Sequence, residues 1–541
     1  MRGRLSALAL VLLGFALASS ADETGEYLRR VREEGRALAA RPSWTAADVQ
    51  KLLTHQLVDP ERFVADAAFR SRILSLLPDA LDPAVPPALR DDLLDELNQV
   101  RGIDFQASES IESAWGAVPR RSAERRQETP RTLRFADDVE SPLTASVYSL
   151  PSFFFDAAAA EPFLAAVRAA DPKRTLIVLT DRPLLDRLEE RARSRLEERV
   201  RALGLQLLDT HGRAYSPWPR DPFSLVRGPE GNVLVLSRPN AQPGREEDLH
   251  LGAEVVQNLP DEIDRAWGGV RWAEAPVPFH NGQVLLTRKA AWITLHALEP
   301  AILQRLGLDR VPVESFSTQA GIDRYIRAAR EASKKLENLY GRPIRFVHPL
   351  PGEATLMRRL GGSAGYDLDS ILTLLPKTAL VADISAGRAL LARLEKTDWE
   401  SLQHGYGLEP EGLAKHLEAA QRTPEAEALD GFLDLMAEHL KKEGMTVRRL
   451  PLLTVPVSLL KNREGLTHRE FLLTWNNVVV ESPGGRPRAE GFASLLPTGD
   501  REAREVFTAA GSRLDLFPPL VRSIILNGGY RCASNHVRTA E

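Results

Sequence analysis

The sequence predicts a mixed α/β fold, and three patterns along the chain support this prediction. A short β-type run at 175–179 precedes a charged helical pattern at 183–203, and a second apolar run follows at 205–208. Two hairpin patterns come next, one across 224–236 and one across 284–295. Paired strands combined with a helix therefore recur along the chain, at irregular intervals and without a strict sequence repeat.

The predicted elements divide the chain into consecutive segments. Residues 1–21 have the pattern of a signal peptide, with arginines before an apolar stretch and small residues at the expected cleavage site. Residues 22–105 have apolar residues at helical spacing between prolines, which predicts an all-helical accessory module, and the polar, Arg-rich stretch 106–142 is predicted to be a linker. The predicted α/β domain is 143–541, and its charged, helix-rich stretch at about 385–447 is interpreted as an insertion.

Composition limits the classes of protein and partner. The chain has 541 residues, of which 43% are hydrophobic and 27% charged, as in a soluble globular protein. A net charge of −4 gives no electrostatic reason to expect a nucleic-acid partner. The N-terminal apolar run is short for a membrane span, so no stable membrane insertion is expected. Together with the signal pattern, these features predict a secreted or periplasmic protein.

Cys532 is the only cysteine in the chain, so it has no disulfide partner within it. Export would place this thiol in an oxidising compartment, where an unpaired cysteine is a liability. Gly528 and Gly529 stand close before it and permit tight turning and close backbone approach. Two interpretations remain open from composition: a catalytic nucleophile, or a buried small hydrophobic residue.

Other polar side chains also lie beside apolar runs. The segment 218–223 places a carboxylate between prolines and aromatic residues, and the segment 365–369 precedes the apolar run 371–375, which is predicted to be a strand. The Gly-Gly pair before Cys532 follows the apolar run 524–526, which is also interpreted as a strand. If the segment 365–369 is extended, its two aspartates point to one face. Distant segments could thus assemble one pocket, although each aspartate alone could equally cap a turn or lie at a solvated edge. The candidate residues are Trp218, Arg220, Asp221, Asp367, Asp369 and Cys532.

Together these motifs resemble a known family. The order Trp218-Pro219-Arg220-Asp221, then Gly365-Tyr366-Asp367-Leu368-Asp369, then Gly528-Gly529-Tyr530-Arg531-Cys532-Ala533-Ser534-Asn535 is similar to that of the guanidino-group-modifying (pentein) superfamily. Its members include agmatine deiminases, arginine deiminases and protein-arginine deiminases. The ending after the thiol most resembles the protein-arginine deiminases. The resemblance covers roughly 143–541.

The resemblance implies a fold, a reaction and partners. The fold would be a pentein α/β propeller of ββαβ-type units around a central site. The chain would be a hydrolase that converts peptidyl-arginine to citrulline and ammonia, with Asp221 and Asp369 holding the guanidinium beside Trp218 and Arg220 while Cys532 attacks its central carbon. The partner would be an arginine-containing protein or peptide, or a small guanidino compound. Calcium is a possible cofactor by the same resemblance, but no ligands can be assigned from the sequence.

One position departs from the family pattern. The family has a histidine two residues before the second aspartate, as general acid and base, whereas this chain has Asp367. An ordinary aspartate is ionised at neutral pH and is a poor proton donor to departing ammonia. Two features could compensate for the missing histidine: a raised pKa of a carboxyl group in a crowded site, or a histidine from elsewhere in the chain. His280 is the candidate for the second, and the alternative interpretation is that His280 is only a surface or hairpin histidine. Without compensation, the chain would be a catalytically impaired protein that binds guanidino groups.

Overall fold

The computed structural model describes residues 135–149, 157–180, 205–209, 219–220, 223–228, 231–237, 270–307, 318–350, 367–461, 469–482, 485–525 and 527–538. The expected signal peptide at 1–21 and helical module at 22–105 lie outside the described residues. So do the helical pattern at 183–203 and two candidate site residues, Trp218 and Asp221.

In the described residues, seventeen strands pair into five sheets. The strands are β1 (Leu143–Ser149), β2 (Thr175–Thr180), β3 (Leu205–Asp209), β4 (Phe223–Gly228), β5 (Gly231–Leu236), β6 (Val270–Glu274), β7 (Val284–Leu286), β8 (Ala291–Ile293), β9 (Ile344–Phe346), β10 (Leu372–Leu374), β11 (Thr378–Asp383), β12 (Thr446–Pro456), β13 (Glu470–Thr474), β14 (Val479–Glu481), β15 (Arg488–Phe492), β16 (Arg513–Phe517) and β17 (Ser534–Arg538). The sheet orders are β17-β1-β2-β3, β4-β5-β6, β7-β8-β9, β10-β11-β12-β13 and β14-β15-β16.

Helices lie between many of these strands. In the described part of the chain they are α1 (Ala157–Ala170), α2 (Glu299–Leu306), α3 (Gln319–Tyr340), α4 (Leu368–Ile371), α5 (Ile384–Leu391), α6 (Lys396–Gly405), α7 (Leu413–Ala420), α8 (Pro424–Lys442), α9 (Pro497–Ala509) and α10 (Val521–Ile525). Short 3-10 turns at Asn281–Gln283 and His296–Leu298 flank β7 and β8. The α/β class predicted from the sequence is confirmed.

All five sheets contain the same local pairing. Each has one antiparallel pair followed by one parallel pair, for example β10 against β11 and then β11 against β12. A parallel pair needs a crossover connection. Helices supply it in four sheets, namely α1 between β1 and β2, α2 and α3 between β8 and β9, α5 to α8 between β11 and β12, and α9 between β15 and β16.

The stretch at 385–447, interpreted from the sequence as an insertion, therefore forms most of one such crossover. The helices α5 to α8 fill it, and β11 and β12 pair in parallel on either side of it. The longest helix of this crossover is α8, which starts at Pro424. Thr423 caps it by accepting a hydrogen bond from the Ala426 amide. Leu429, Phe432 and Met436 on one face of α8 are buried, as an amphipathic pattern requires.

The end of the expected linker at 106–142 is part of the folded body. Phe135 and Val139 are buried in the main hydrophobic core, and Asp137 and Ser141 are buried and hydrogen-bonded to each other. The described residues 135–142 are thus packed, and their buried polar groups are hydrogen-bonded.

The strand expected at 371–375 is confirmed in shorter form as β10 (Leu372–Leu374), but two local expectations were wrong. The segment that carries Asp369 is not extended, because α4 occupies Leu368–Ile371. The apolar run before the Gly-Gly pair is the helix α10, and the strand in this region, β17, follows the cysteine. Short apolar runs do not distinguish a buried strand from a single buried helical turn, which explains both errors. No helix in the described residues is both long and apolar enough to cross a membrane.

Candidate active site

The candidate site is built around the segment that joins α10 to β17. Asn527 ends the helix in the left-handed conformation, with φ of 62°, and its side-chain oxygen accepts a hydrogen bond from the Leu472 amide at 2.8 Å. Asparagine tolerates this conformation better than most residues. The Gly528 amide donates to the Ser523 carbonyl. These contacts fix the loop that presents Cys532, which is 2% exposed.

The thiol lies beside two carboxylates from α4 and its N-cap. Ligand atoms of Asp367, Asp369 and Cys532 all lie within 4.8 Å of one another. The Cys532 thiol donates towards the two carboxylate oxygens of Asp369, with Sγ to oxygen distances of 3.5 and 3.7 Å. The extended N-cap conformation of Asp367 and the single helical turn that follows bring both carboxylates to the thiol, although they do not lie on one strand.

Asn477 connects the thiol to both segments. Its Nδ2 donates to the Cys532 Sγ at 2.9 Å and to Oδ1 of Asp369 at 3.1 Å. Its Oδ1 accepts from the backbone amides of Arg531 at 2.8 Å and Cys532 at 3.1 Å. A donor at 2.9 Å would stabilise a thiolate, so Asn477 both positions the cysteine and favours its reactive form.

Gly529 is what allows Asn477 to come so close. A Cβ at position 529 would overlap the Cβ, Cγ and Oδ1 of the Asn477 side chain. The Gly-Gly pair of the sequence therefore has a packing function that can be named. Its second glycine leaves the space in which the amide reaches the thiol loop.

A guanidinium group already lies in the site, and it belongs to Arg531. Its Nη1 donates to Oδ2 of Asp369 at 2.9 Å, and its Nη2 donates to Oδ2 of Asp138 at 3.1 Å and to the Val284 carbonyl at 3.0 Å. Burial alone would lower the pKa of Arg531, but the charges of Asp138 and Asp369, with a further contribution from Cys532, raise it. The arginine is thus held as a cation next to the thiol.

Asp138 is the centre of a buried charge cluster. Arg220 and Arg538 approach it in addition to Arg531, at 3.3 and 3.7 Å, and the Leu286 amide donates to it at 2.9 Å. Burial favours the neutral carboxyl, but the three arginines and this amide outweigh it and lower the pKa of Asp138 to about 2. For Asp369, burial has the larger effect and raises the pKa, with Arg531 opposing it.

The surroundings of Asp367 include two histidines. Gln283 Nε2 donates to Oδ1 of Asp367 at 2.7 Å. The rings of His280 and His296 are stacked with centroids 4.9 Å apart, and His296 Nδ1 is 2.6 Å from Oε2 of Glu299. Burial lowers the pKa of His296, but its bond to Glu299 and the charges of Glu299 and Asp367 raise it overall. His280, the candidate from sequence, therefore stacks on a histidine held in a carboxylate pair.

Behind the thiol loop, a buried polar network ties Tyr530 to the sheets. The Tyr530 hydroxyl donates to Glu490 at 3.0 Å and lies 2.8 Å from the Tyr148 hydroxyl. Arg174 forms a two-pronged pair with Glu490, at 2.6 and 2.9 Å. Burial and nearby arginines lower the pKa of His536 well below its usual range, so this histidine is neutral and not a proton donor to the site.

The acidic cluster does not fit calcium. Calcium takes six to eight oxygen ligands, whereas the candidate metal cluster found in the described residues offers two carboxylates and a thiol. Asp369 in that cluster already accepts hydrogen bonds from Arg531 and Asn477. No step of the chemistry below therefore uses a metal ion.

The site thus contains several of the residues proposed from the sequence. Cys532, Asp367 and Asp369 are brought together, Arg220 is joined to them through Asp138, and His280 lies on the Asp367 side by way of His296. Trp218 and Asp221 lie outside the described residues, but the Pro219 carbonyl accepts from Asn535 at 3.1 Å and the Arg220 carbonyl accepts from Asn281 at 2.6 Å. Residues 219 and 220 are therefore held by β17 and by the 3-10 turn Asn281–Gln283.

Sequence reasoning missed three functional side chains. Asn477 had a signal, since Asn476-Asn477 interrupts a long apolar stretch and a buried amide there needs partners. Arg531 stood in the cysteine motif but had no assigned role. Asp138 had no usable signal, because it lies in the polar segment that was predicted to be a linker.

Comparisons with known proteins identify no relative. A scan against protein-family models gives no match, and a search of curated protein sequences gives none either.

Proposed function

We propose that this chain acts on guanidino groups through Cys532, as a hydrolase of the guanidino-group-modifying type that converts the guanidino group of arginine in a protein or peptide to a ureido group. One observation carries the proposal. Asp369 binds a guanidinium, that of Arg531, at 2.9 Å, while the same carboxylate lies 3.5 Å from the thiol. The site therefore has the chemistry to hold a guanidinium within reach of a nucleophile.

The sheet topology supports the same proposal. Each of the five sheets contains an antiparallel pair next to a parallel pair, as a propeller of five ββαβ-type units would, and the two four-stranded sheets have one further pair each. The β17–β1 pair would close such a ring, since it joins strands from the two ends of the described chain. We therefore propose the pentein propeller as the arrangement of these sheets.

The reaction would proceed in two balanced steps. The Cys532 thiolate attacks the central guanidinium carbon, a carbon–nitrogen bond breaks, and the leaving nitrogen takes a proton and departs as ammonia. Water then attacks the enzyme-bound thiouronium carbon, the carbon–sulfur bond breaks, and the product is a ureido group with the thiol restored. Asn477 stabilises the thiolate, and Asp369 orients the guanidinium. We propose the Glu299–His296 pair as the proton donor, because the bond to Glu299 and the charges of Glu299 and Asp367 raise the pKa of His296.

Product formation and thiol labelling test the proposal. Purified protein is incubated with a benzoyl-arginine ester, an arginine-rich protein, agmatine and free arginine, and ureido product is measured. Because Cys532 is the only cysteine, labelling by a haloacetamidine reports on this thiol alone. We expect product from at least one substrate and labelling of the native protein, with both lost in Cys532→Ser. Absence of product from all four substrates, combined with absence of labelling, would refute a hydrolase.

A second function, binding without turnover, is favoured by Asp367. Asp367 stands at the position where the resemblance expects a proton-transfer histidine. Loss of such a proton-transfer group lowers the reaction rate by about a hundredfold to ten-thousandfold. In the same assay, Asp367→His would then raise product formation, by up to about a hundredfold. If Asp367→His and the native protein are equally inactive but both bind methylguanidinium, the chain is a binding protein.

A further inference from the structure

Arg531 occupies the guanidinium position beside the thiol. Its two terminal nitrogens are bound by two carboxylates, Asp369 at 2.9 Å and Asp138 at 3.1 Å, and one of them also donates to the Val284 carbonyl at 3.0 Å. With the Asn477 amide on the other oxygen of Asp369, that carboxylate has both of its oxygens engaged. An external guanidinium would therefore compete with Arg531 for Asp369.

We propose that Asp138 and Asp369 together form a guanidinium-binding site that this chain fills with its own Arg531, so that an external guanidino ligand binds by displacing the Arg531 side chain. The inference rests on the proposed function for the identity of the displacing ligand, and it adds Asp138 as a binding residue. The expected ligand class is an alkylguanidinium, because the side chain of Arg531, which occupies the site, is itself an alkylguanidinium.

The backbone contacts of Arg531 are separate from those of its side chain. The backbone amides of Arg531 and Cys532 donate to Asn477 Oδ1, at 2.8 and 3.1 Å, and these bonds do not involve the Arg531 guanidinium. The thiol therefore keeps its position on exchange.

The charge balance around Asp138 would tolerate the departure of Arg531. Three arginines face this carboxylate, and Arg220 is only 6% exposed and has a buried Nε without a hydrogen-bond partner among the described residues. Burial, followed by the positive charge of Arg531, lowers the pKa of Arg220. Arg531 thus repels a neighbouring cation while it binds the carboxylates. Asp138 retains Arg220 and Arg538 after Arg531 departs.

Arg531→Ala tests the proposal by vacating the site. Methylguanidinium is added to the native protein and the variant, with methylammonium as the matched cation, and both thermal stability and the rate of Cys532 alkylation by iodoacetamide are measured. We expect methylguanidinium to stabilise Arg531→Ala and to slow its alkylation about tenfold at saturation, with a much smaller effect of methylammonium. The native protein should show the same effects only at higher methylguanidinium concentrations, because the ligand must displace Arg531 there. Addition of Asp138→Asn to the variant should weaken this binding about tenfold.

Two further variants separate a ligand site from a generic cavity. Arg174→Ala also removes a buried arginine from carboxylates, those of Glu490 and Glu481, and there methylguanidinium should leave Cys532 alkylation unchanged. Arg531→Lys retains a cation that cannot bridge both carboxylates, so it should bind methylguanidinium more tightly than the native protein and more weakly than Arg531→Ala. It also provides the test if Arg531→Ala fails to fold. The proposal is overturned if neither Arg531 variant gains methylguanidinium binding. It is also overturned if methylguanidinium slows Cys532 alkylation in Arg174→Ala as much as in Arg531→Ala.

The outcomes remain distinct from those of the proposed function. Binding by Arg531→Ala without ureido product from any form of the protein supports the filled site and refutes the hydrolase. Product from the native protein, with no gain of binding in either Arg531 variant, refutes the filled site and leaves the hydrolase standing.

Discussion

At the scale of single residues, Asp138 stands out because three arginines overcome its burial. Its carboxylate is 11% exposed and lies within 4 Å of Arg220, Arg531 and Arg538. A buried carboxylate without such partners would be neutral, whereas this one is ionised above a pKa of about 2. Its charge therefore contributes to folding stability wherever the unfolded carboxyl would also be ionised.

Asp138→Asn is expected to reduce stability in a pH-dependent way. The folded pKa is depressed from 3.8 to about 2, so the stabilisation is fully present above pH 4 to 5 and is lost as pH falls through the folded pKa. The difference in unfolding free energy between native and variant protein should shrink by roughly 2 kcal/mol between pH 5 and pH 2. Urea unfolding over this range measures it. A difference that does not change with pH would contradict the assigned charge pairing.

At the scale of elements, the thiol loop depends on a close approach between Asn477 and Gly529. Gly529→Ala would force the Asn477 side chain away, and with it the bonds to the Cys532 thiol and to two backbone amides. Overpacking of this kind costs about 1–3 kcal/mol. We also expect faster alkylation of Cys532, because the loop that buries the thiol loses its anchor.

Gly431→Ala provides the matched control for this loop. Gly431 lies inside α8, and a Cβ there meets no heavy atom within 4 Å. Alanine in a helix interior is favoured over glycine by about 0.5–1 kcal/mol, so the same substitution should stabilise the protein there and leave alkylation unchanged. If both substitutions had the same effect on unfolding and alkylation, the contact between Gly529 and Asn477 would have no special role.

Elements of the site were partly predictable from sequence. The hairpins β4–β5 and β7–β8 were expected from turn residues between apolar runs, and the structure confirms both. The run at 371–375 was predicted to be a strand and contains β10, but the segment with Asp369 before it forms the helical turn α4. The run before the Gly-Gly pair was also interpreted as a strand, yet the chain forms the helix α10 there. Tertiary packing decides such short segments, and no local pattern reports it.

At the scale of the whole molecule, the site draws on segments far apart in the chain. Its side chains come from regions that only the folded sheets bring together, namely Asp138, Gln283, Asp369, Asn477 and Cys532. Motif order predicted the pairing of Cys532 with Asp369, since both flank recognisable apolar runs. It could not predict Asp138 or Asn477, whose roles follow from pairings between distant strands and loops.

The longest of these pairings is between β17 and β1, and it leads to a prediction about the whole fold. His536 Nδ1 lies 2.9 Å from the Ser146 hydroxyl, 390 residues away, and the Arg538 guanidinium donates to the Ser141 carbonyl at 2.8 Å. A chain ending after Ala533 would leave an edge of β1 unpaired and the thiol loop without its second anchor. We expect it to unfold at a lower urea concentration than the native chain and to expose Cys532 to alkylation. A chain ending after Arg538 retains these contacts and serves as the control. Equal unfolding midpoints for the two truncated chains would mean that β17 is not needed to hold the sheets together. A lower midpoint for the shorter chain alone would indicate that pairing between distant parts of the chain stabilises the sheet that adjoins the thiol.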